Sequence, residues 1–192
     1  MEFSTIFHDH IQTSFARILQ EHIQPKVTIE IGAFEGQTTV NMVNYMKQIH
    51  PDYQHYVIDP FTASENLKQD VLDNAKDMFL RNVQDLKAVN FINKDSFSGL
   101  IELLNAEVRA DFIYVDGSHF AKDVLSDAVL GFELLEVGGV ILFDDAVSWR
   151  YGNAIQDSPK IAIDSFINCN WDRLEVIELP NGYQVAIKKT KE

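Results

Sequence analysis

The chain has 192 residues, 46% of them hydrophobic and 11% aromatic, which excludes a disordered protein and suits one domain with a substantial core. A formal charge of −13 and a pI near 4.7 exclude the basic face that a non-specific grip on nucleic acid or anionic lipid requires. Cys169 stands alone, so neither a disulfide within the chain nor a cysteine-based zinc site can form. The first residues mix polar and apolar types without a continuous hydrophobic stretch. The expectation is a soluble, cytoplasmic protein with no leader and no membrane span.

Apolar residues recur at helical spacing over residues 5–24, at Ile6, Ile11, Phe15, Ile18, Leu19 and Ile23, until Pro25 stops the run. One or two leading helices covering a sheet or a pocket are expected there. His8, His10 and His22 fall within them, lack the spacing of a metal site, and read as surface or lid residues. Residues 27–31 predict a first strand, apolar at successive positions as in a strand buried on both faces. Glu30 is the exception, because a carboxylate in such a strand is costly unless it is paired or faces a polar cavity. Gly32 and Gly36 then turn the chain into a helix running towards Gln48.

A second strand over 55–58 ends at Asp59-Pro60, and Ser64 is placed to cap a polar helix through Arg81. Residues 89–92 predict a third strand, followed by Lys94-Asp95-Ser96 and a helix to about Asn105. A fourth strand, 111–115, closes at Asp116-Gly117-Ser118-His119. A helix over 121–135 follows, and Gly138-Gly139 turns the chain into a fifth strand, 140–143, which ends at Asp144-Asp145. After a helix beginning near Pro159, extended runs at 174–179 and 183–188 flank Pro180-Asn181-Gly182, a strong hairpin signal. No repeat, low-complexity tract or linker interrupts this order, so residues 1–192 read as a single domain, with 1–25 a helical cap and 26–192 the core.

Alternating strands and helices with a terminal antiparallel hairpin predict an α/β fold: a Rossmann-like, doubly wound, mostly parallel seven-stranded sheet. In such a sheet Asp59, Asp95, Asp116 and Asp144 close strands along one edge, where ligands bind. The glycine spacing excludes two nucleotide folds. A dinucleotide fingerprint needs a third glycine that is absent, and a P-loop needs four residues between its glycines and then a lysine. What remains, Glu30-x-Gly32-x-x-x-Gly36-x-Thr38, together with the strand order, resembles the class I S-adenosylmethionine-dependent methyltransferases from about Val27 to Lys188. By that resemblance Glu30, Gly32, Ala33 and Gly36 border the methionine part of the cofactor, and Asp59 accepts both ribose hydroxyls. Phe61 packs on adenine, Asp95 and Ser96 meet its edge, and Asp116 lines the same pocket.

Asp116, Asp144 and Asp145 close neighbouring strands of that fold, and three converging carboxylates repel one another unless protonated or bridged by a cation. Their oxygens suit magnesium, with manganese or calcium as alternatives. The set resembles the metal-dependent O-methyltransferases of the catechol and macrocin types, Asp144-Asp145 following the macrocin-like pattern. The catechol-type enzymes carry a lysine base at the offset where this chain has His119, which makes His119 the general-base candidate and Asp116 its catalytic partner. Lys122 is a second candidate. Trp149, Arg150 and Tyr151 follow the last acids, where an acceptor would lie.

The implied activity is methyl transfer from S-adenosylmethionine to a hydroxyl of a small-molecule acceptor, with no nucleic-acid or membrane partner. A homo-oligomer is compatible with the chain. The alternatives are a metal-independent methyltransferase acting on nitrogen or on a macromolecule, and a cofactor-binding protein without catalysis.

Overall fold

The computed structural model describes residues 3–4, 9–62, 68–146, 158–180 and 182–192. Seven strands form one sheet in the order β3-β2-β1-β4-β5-β7-β6. The strands are β1 (Val27–Ile31), β2 (Gln54–Ile58), β3 (Val89–Ile92), β4 (Ala110–Val115), β5 (Leu135–Phe143), β6 (Leu174–Ile177) and β7 (Val185–Lys189). The helices are α1 (Asp9–Glu21), α2 (Gln37–Met46), α3 (Gln69–Val83), α4 (Ser96–Asn105), α5 (Ala121–Leu134) and α6 (Pro159–Cys169). β1 to β5 run parallel, and β7 is reversed against both β5 and β6. This is the doubly wound, mostly parallel sheet that the strand–helix alternation predicts.

The central strands are buried on both faces, which is why they read as continuous apolar runs. Ile29, Ile31, Ile113, Val115, Ile141 and Phe143 face Leu100 of α4, Phe132 of α5 and Phe166 of α6. The alternate residues, including Phe112, Tyr114, Val140 and Leu142, face Phe15 and Ile18 of α1 and Met42 of α2. A third cluster joins Val40 of α2 to Phe79 of α3 beside the turn after β1. Lys189 is fully buried and donates to the carbonyls of Phe132 and Leu135 at 3.2 and 2.9 Å, closing the carboxyl end of α5 with a cation.

Two boundaries differ from the sequence expectation. The fifth strand starts at Leu135, directly after α5, so Gly138-Gly139 does not turn the chain into it. The glycines lie in an irregularity of the strand, where the partner of β4 jumps from Leu135 opposite Ala110 to Val140 opposite Phe112. Gly138 takes φ +92°, and a Cβ on Gly139 would come within 2.8 Å of the Asp111 carbonyl oxygen. The leading helix ends at Glu21, short of Gln24 where the run that announced it stops. Ser64, His8, Asn181 and the Trp149-Arg150-Tyr151 cluster lie outside the described residues. Among the described residues no helix is long and apolar enough to cross a membrane.

Candidate active site

The last paired row of the parallel strands sets the site. Ile31 pairs with Ile58 and Val115, Ile58 with Ile92, and Val115 with Phe143. The next residue along each strand therefore falls in one line at the carboxyl edge: Asn93, Asp59, Gly32, Asp116 and Asp144. The ladder reaches into that line, since Gly32 N–H donates to the Ile58 carbonyl and Asp116 and Asp144 N–H to those of Ile31 and Val115, each at 2.9 Å.

Gly32 is required by space as well as by conformation. It takes φ +85°, and a Cβ there would lie 2.1 Å from the Asp116 carbonyl oxygen. The turn after β1 therefore touches the turn after β4. Asp59 braces the first of these turns. Its Oδ2 accepts the Ala33 and Phe34 N–H groups at 2.8 and 3.2 Å, and its Oδ1 accepts the Phe61 N–H at 2.8 Å. The carboxylate is half-buried, and Oδ1, which accepts a single N–H, keeps a second lone pair for a ligand hydroxyl. Gly36, at φ +81°, opens α2 against the Phe79 ring.

Glu30 is paired beneath the turn. Its Oε2 accepts from Thr39 Oγ1 at 2.6 Å and meets His55 Nε2 at 2.8 Å, while His55 Nδ1 lies 2.6 Å from Thr28 Oγ1. All four side chains are buried. Phe61 is 2% exposed, its ring 5.7 and 5.9 Å from those of Phe79 and Phe91. Asp95 caps α4, accepting Ser98 N–H and Ser98 Oγ, both at 2.9 Å. Those two bonds hold its carboxyl below the usual range. Ser96 begins the helix.

Beyond Asp116 the rim gathers acids around one imidazole. His119 Nε2 lies 3.2 Å from Asp145 Oδ2 and 3.9 Å from Asp116 Oδ1. Burial lowers the His119 pKa, but the hydrogen bonds and charges of Asp116 and Asp145 outweigh it and raise it to about 9. Asp116 moves up as well, through burial and the Asp144 charge, with His119 opposing. Asp144 turns towards the sheet, where Oδ2 accepts from Tyr114 Oη at 2.7 Å and Oδ1 from Asp145 N–H at 2.9 Å. One donor atom each from Asp116, His119 and Asp145 lie within 4.8 Å of one another. Two hard carboxylate oxygens at that separation, from Asp116 and Asp145, suit a divalent ion, with the imidazole beside them. Lys122 points away, 83% exposed, with its amine 3.7 Å from Asp123 Oδ1.

The structure thus brings Gly32, Ala33, Asp59, Asp116, His119, Asp144 and Asp145 to one edge, while Glu30 and Phe61 lie beneath it. Sequence reasoning missed His55, Thr39 and Tyr114. Tyr114 had a readable signal, since a residue two positions before Asp116 in a strand shares its face.

A Rossmann-like sheet with a glycine turn and an acidic rim at its carboxyl edge defines the fold of class I S-adenosylmethionine-dependent methyltransferases. Residues 29–146 match the family described as "Methyltransferase domain", and the chain belongs to that family. It is 29% identical over 151 residues to Tapetum-specific methyltransferase 1 of Arabidopsis thaliana, covering 78% of this chain and 58% of that one. It is 28% identical over 147 residues to an uncharacterized protein, R132, of Acanthamoeba polyphaga mimivirus, covering 75% and 61%. The chain therefore spans about three fifths of the length of these curated relatives. Among solved structures, a putative O-methyltransferase from Klebsiella pneumoniae superposes with a TM-score of 0.70 at 16% identity, over 98% of this chain and 83% of that one. The O-methyltransferase from Bacillus cereus in complex with SAH superposes with a TM-score of 0.67 at 17% identity, over 95% and 83%.

Proposed function

We propose that this protein transfers a methyl group from S-adenosylmethionine to a hydroxyl of a small-molecule acceptor, with a divalent cation held by Asp116 and Asp145. The observation that carries this reading is the placement of the braced glycine turn directly against the Asp116–His119–Asp145 cluster on one sheet edge. The turn would hold the nucleoside and the rim would receive the acceptor. SAH in the Bacillus cereus neighbour, and the O-methyltransferase description shared by both neighbours, support cofactor and reaction type.

The sulfonium methyl is already activated, so the site has to place an oxygen in line with it. The acceptor oxygen attacks the methyl carbon as the carbon–sulfur bond breaks, the bonding pair stays on sulfur, and the hydroxyl proton passes to His119. The cation, when bound, would orient the hydroxyl and lower its pKa. Asp116 and Asp145 would bind it and hold His119 between them. His119 is protonated at neutral pH while both carboxylates act on it, so neutralising them frees the imidazole to accept a proton.

The test is turnover of labelled S-adenosylmethionine against hydroxylated acceptors, before and after EDTA with magnesium or manganese added back. Loss on chelation and recovery on add-back is the expected outcome. Turnover indifferent to chelation removes the cation from the mechanism. Cofactor binding with no turnover on any acceptor leaves a binding protein instead.

A further inference from the structure

Tyr114 interrupts the apolar face of β4 with a hydroxyl, and the strand geometry fixes where that hydroxyl goes. It lies two residues before Asp116 and pairs with Leu142, itself two residues before Asp144. Both carboxylates therefore stand one pleat further along the face that Tyr114 occupies. Its Oη lies 3.0 Å from Asp116 Oδ2 and 2.7 Å from Asp144 Oδ2. The ring is 2% exposed and clamped edge-on by Phe15 of α1, with centroids 4.9 Å apart, so the hydroxyl has little freedom to turn elsewhere.

The consequence falls on Asp144. One of its oxygens is engaged by Tyr114 and the other by Asp145 N–H. The oxygens that approach His119 are Asp116 Oδ1 and Asp145 Oδ2. Among the described residues the donor cluster likewise contains Asp116, His119 and Asp145 and leaves Asp144 out.

We propose that Tyr114 is a positioning residue that withholds Asp144 from the cation, so that two rim carboxylates hold it instead of three. This inference rests on the cation reading above. It has a chemical result: two carboxylates balance a divalent charge, whereas a third would leave the site net negative and weaken its pull on an acceptor oxygen.

The experiment is a double-mutant cycle read by Mn2+ affinity, from electron paramagnetic resonance titration of free ion, in wild type, D144N, Y114F and the Y114F/D144N pair. Asparagine keeps an acceptor for Asp145 N–H, and phenylalanine removes only the hydroxyl. Thermal unfolding of each variant confirms that it is folded. D144N is expected to change affinity less than about threefold with Tyr114 present, and about tenfold once Tyr114 is phenylalanine and Asp144 is free to ligate. Equal effects in the two backgrounds overturn the proposal. So does a large loss in the D144N single variant, which requires no change at Tyr114. Wild-type protein that binds no Mn2+ overturns the cation reading together with this one, a result distinct from binding with additive effects.

Discussion

Asp127 sits in the middle of α5, fully buried, and no donor among the described residues meets its oxygens with full hydrogen-bond geometry, although the Ser96 hydroxyl faces it. Burial pushes its carboxyl up to about 7, Ser96 opposing and the charges of Asp123 and Asp95 adding. In the unfolded chain the same group titrates near 3.9. Between those two values the native state binds the proton that the unfolded state has lost, so stability falls as pH rises through the window and is level above it. The cost at pH 8 is up to about 4 kcal/mol, from roughly three pKa units. D127N carries no such proton. Chemical denaturation at pH 4.5 and pH 8 is expected to show the variant gaining on wild type as pH rises. A gap independent of pH would mean that Asp127 finds a donor in solution.

His119 is the opposite case at the same scale. Its raised pKa belongs to the ion-free protein, because the two carboxylates that cause it are the proposed cation ligands. Proton and cation then compete for one charge-compensating position. In the imidazole resonances of chelated protein, His119 is expected to titrate near 9. Adding magnesium is expected to move that titration downward. A titration unmoved by saturating magnesium would place the ion elsewhere.

The turn after β1 carries the corresponding argument for elements. Three backbone N–H groups, from Ala33, Phe34 and Phe61, converge on Asp59. An amide in its place offers one acceptor oxygen and turns an NH2 towards at least one of those donors. D59N is expected to cost about 1–3 kcal/mol, the penalty for an unsatisfied buried donor. The loss is expected to appear as faster amide exchange in the 32–36 turn and weaker SAH binding. Exchange unchanged in the turn would show that Gly32 and Gly36 hold it unaided.

The same turn marks how far the sequence could be read. Strands whose ends carry chemical punctuation were legible almost to the residue: β1 between Pro25 and Gly32, β3 before the Asp95 cap, β2 before Asp59-Pro60. The rim was legible too, because parallel strands deliver their carboxyl ends to one edge whatever the cross-strand register. β5 was not, since Gly138-Gly139 looks like a turn when only the pairing with β4 reveals an irregular strand. Side-chain partnerships inside the sheet were out of reach for the same reason. Thr28 and Glu30, His55, and Tyr114 belong to three separate local patterns, and only the register of β1 with β2 and β4 brings them together.

Across the whole molecule, the two faces of the sheet do different work. α4, α5 and α6 bury an apolar cluster on one face, whereas α1, on the other, packs against the residue that orients the acidic rim. Phe15 lies 5.5 Å from Phe112 and 4.9 Å from Tyr114, so the leading helix both covers β4 and fixes the Tyr114 ring. Truncating it tests whether cover and site are one unit. F15A is expected to cost about 3 kcal/mol in chemical denaturation, the lower end for a large aromatic because the ring borders solvent. It is also expected to shift Mn2+ affinity in the same direction as Y114F, because a ring freed of its clamp no longer holds its hydroxyl on Asp144. Stability lost with ion affinity unchanged would make α1 a lid of ordinary core and leave Tyr114 oriented by the sheet alone. Stability lost together with that shift in ion affinity would tie the first helix of the chain to the chemistry at the far end of β4.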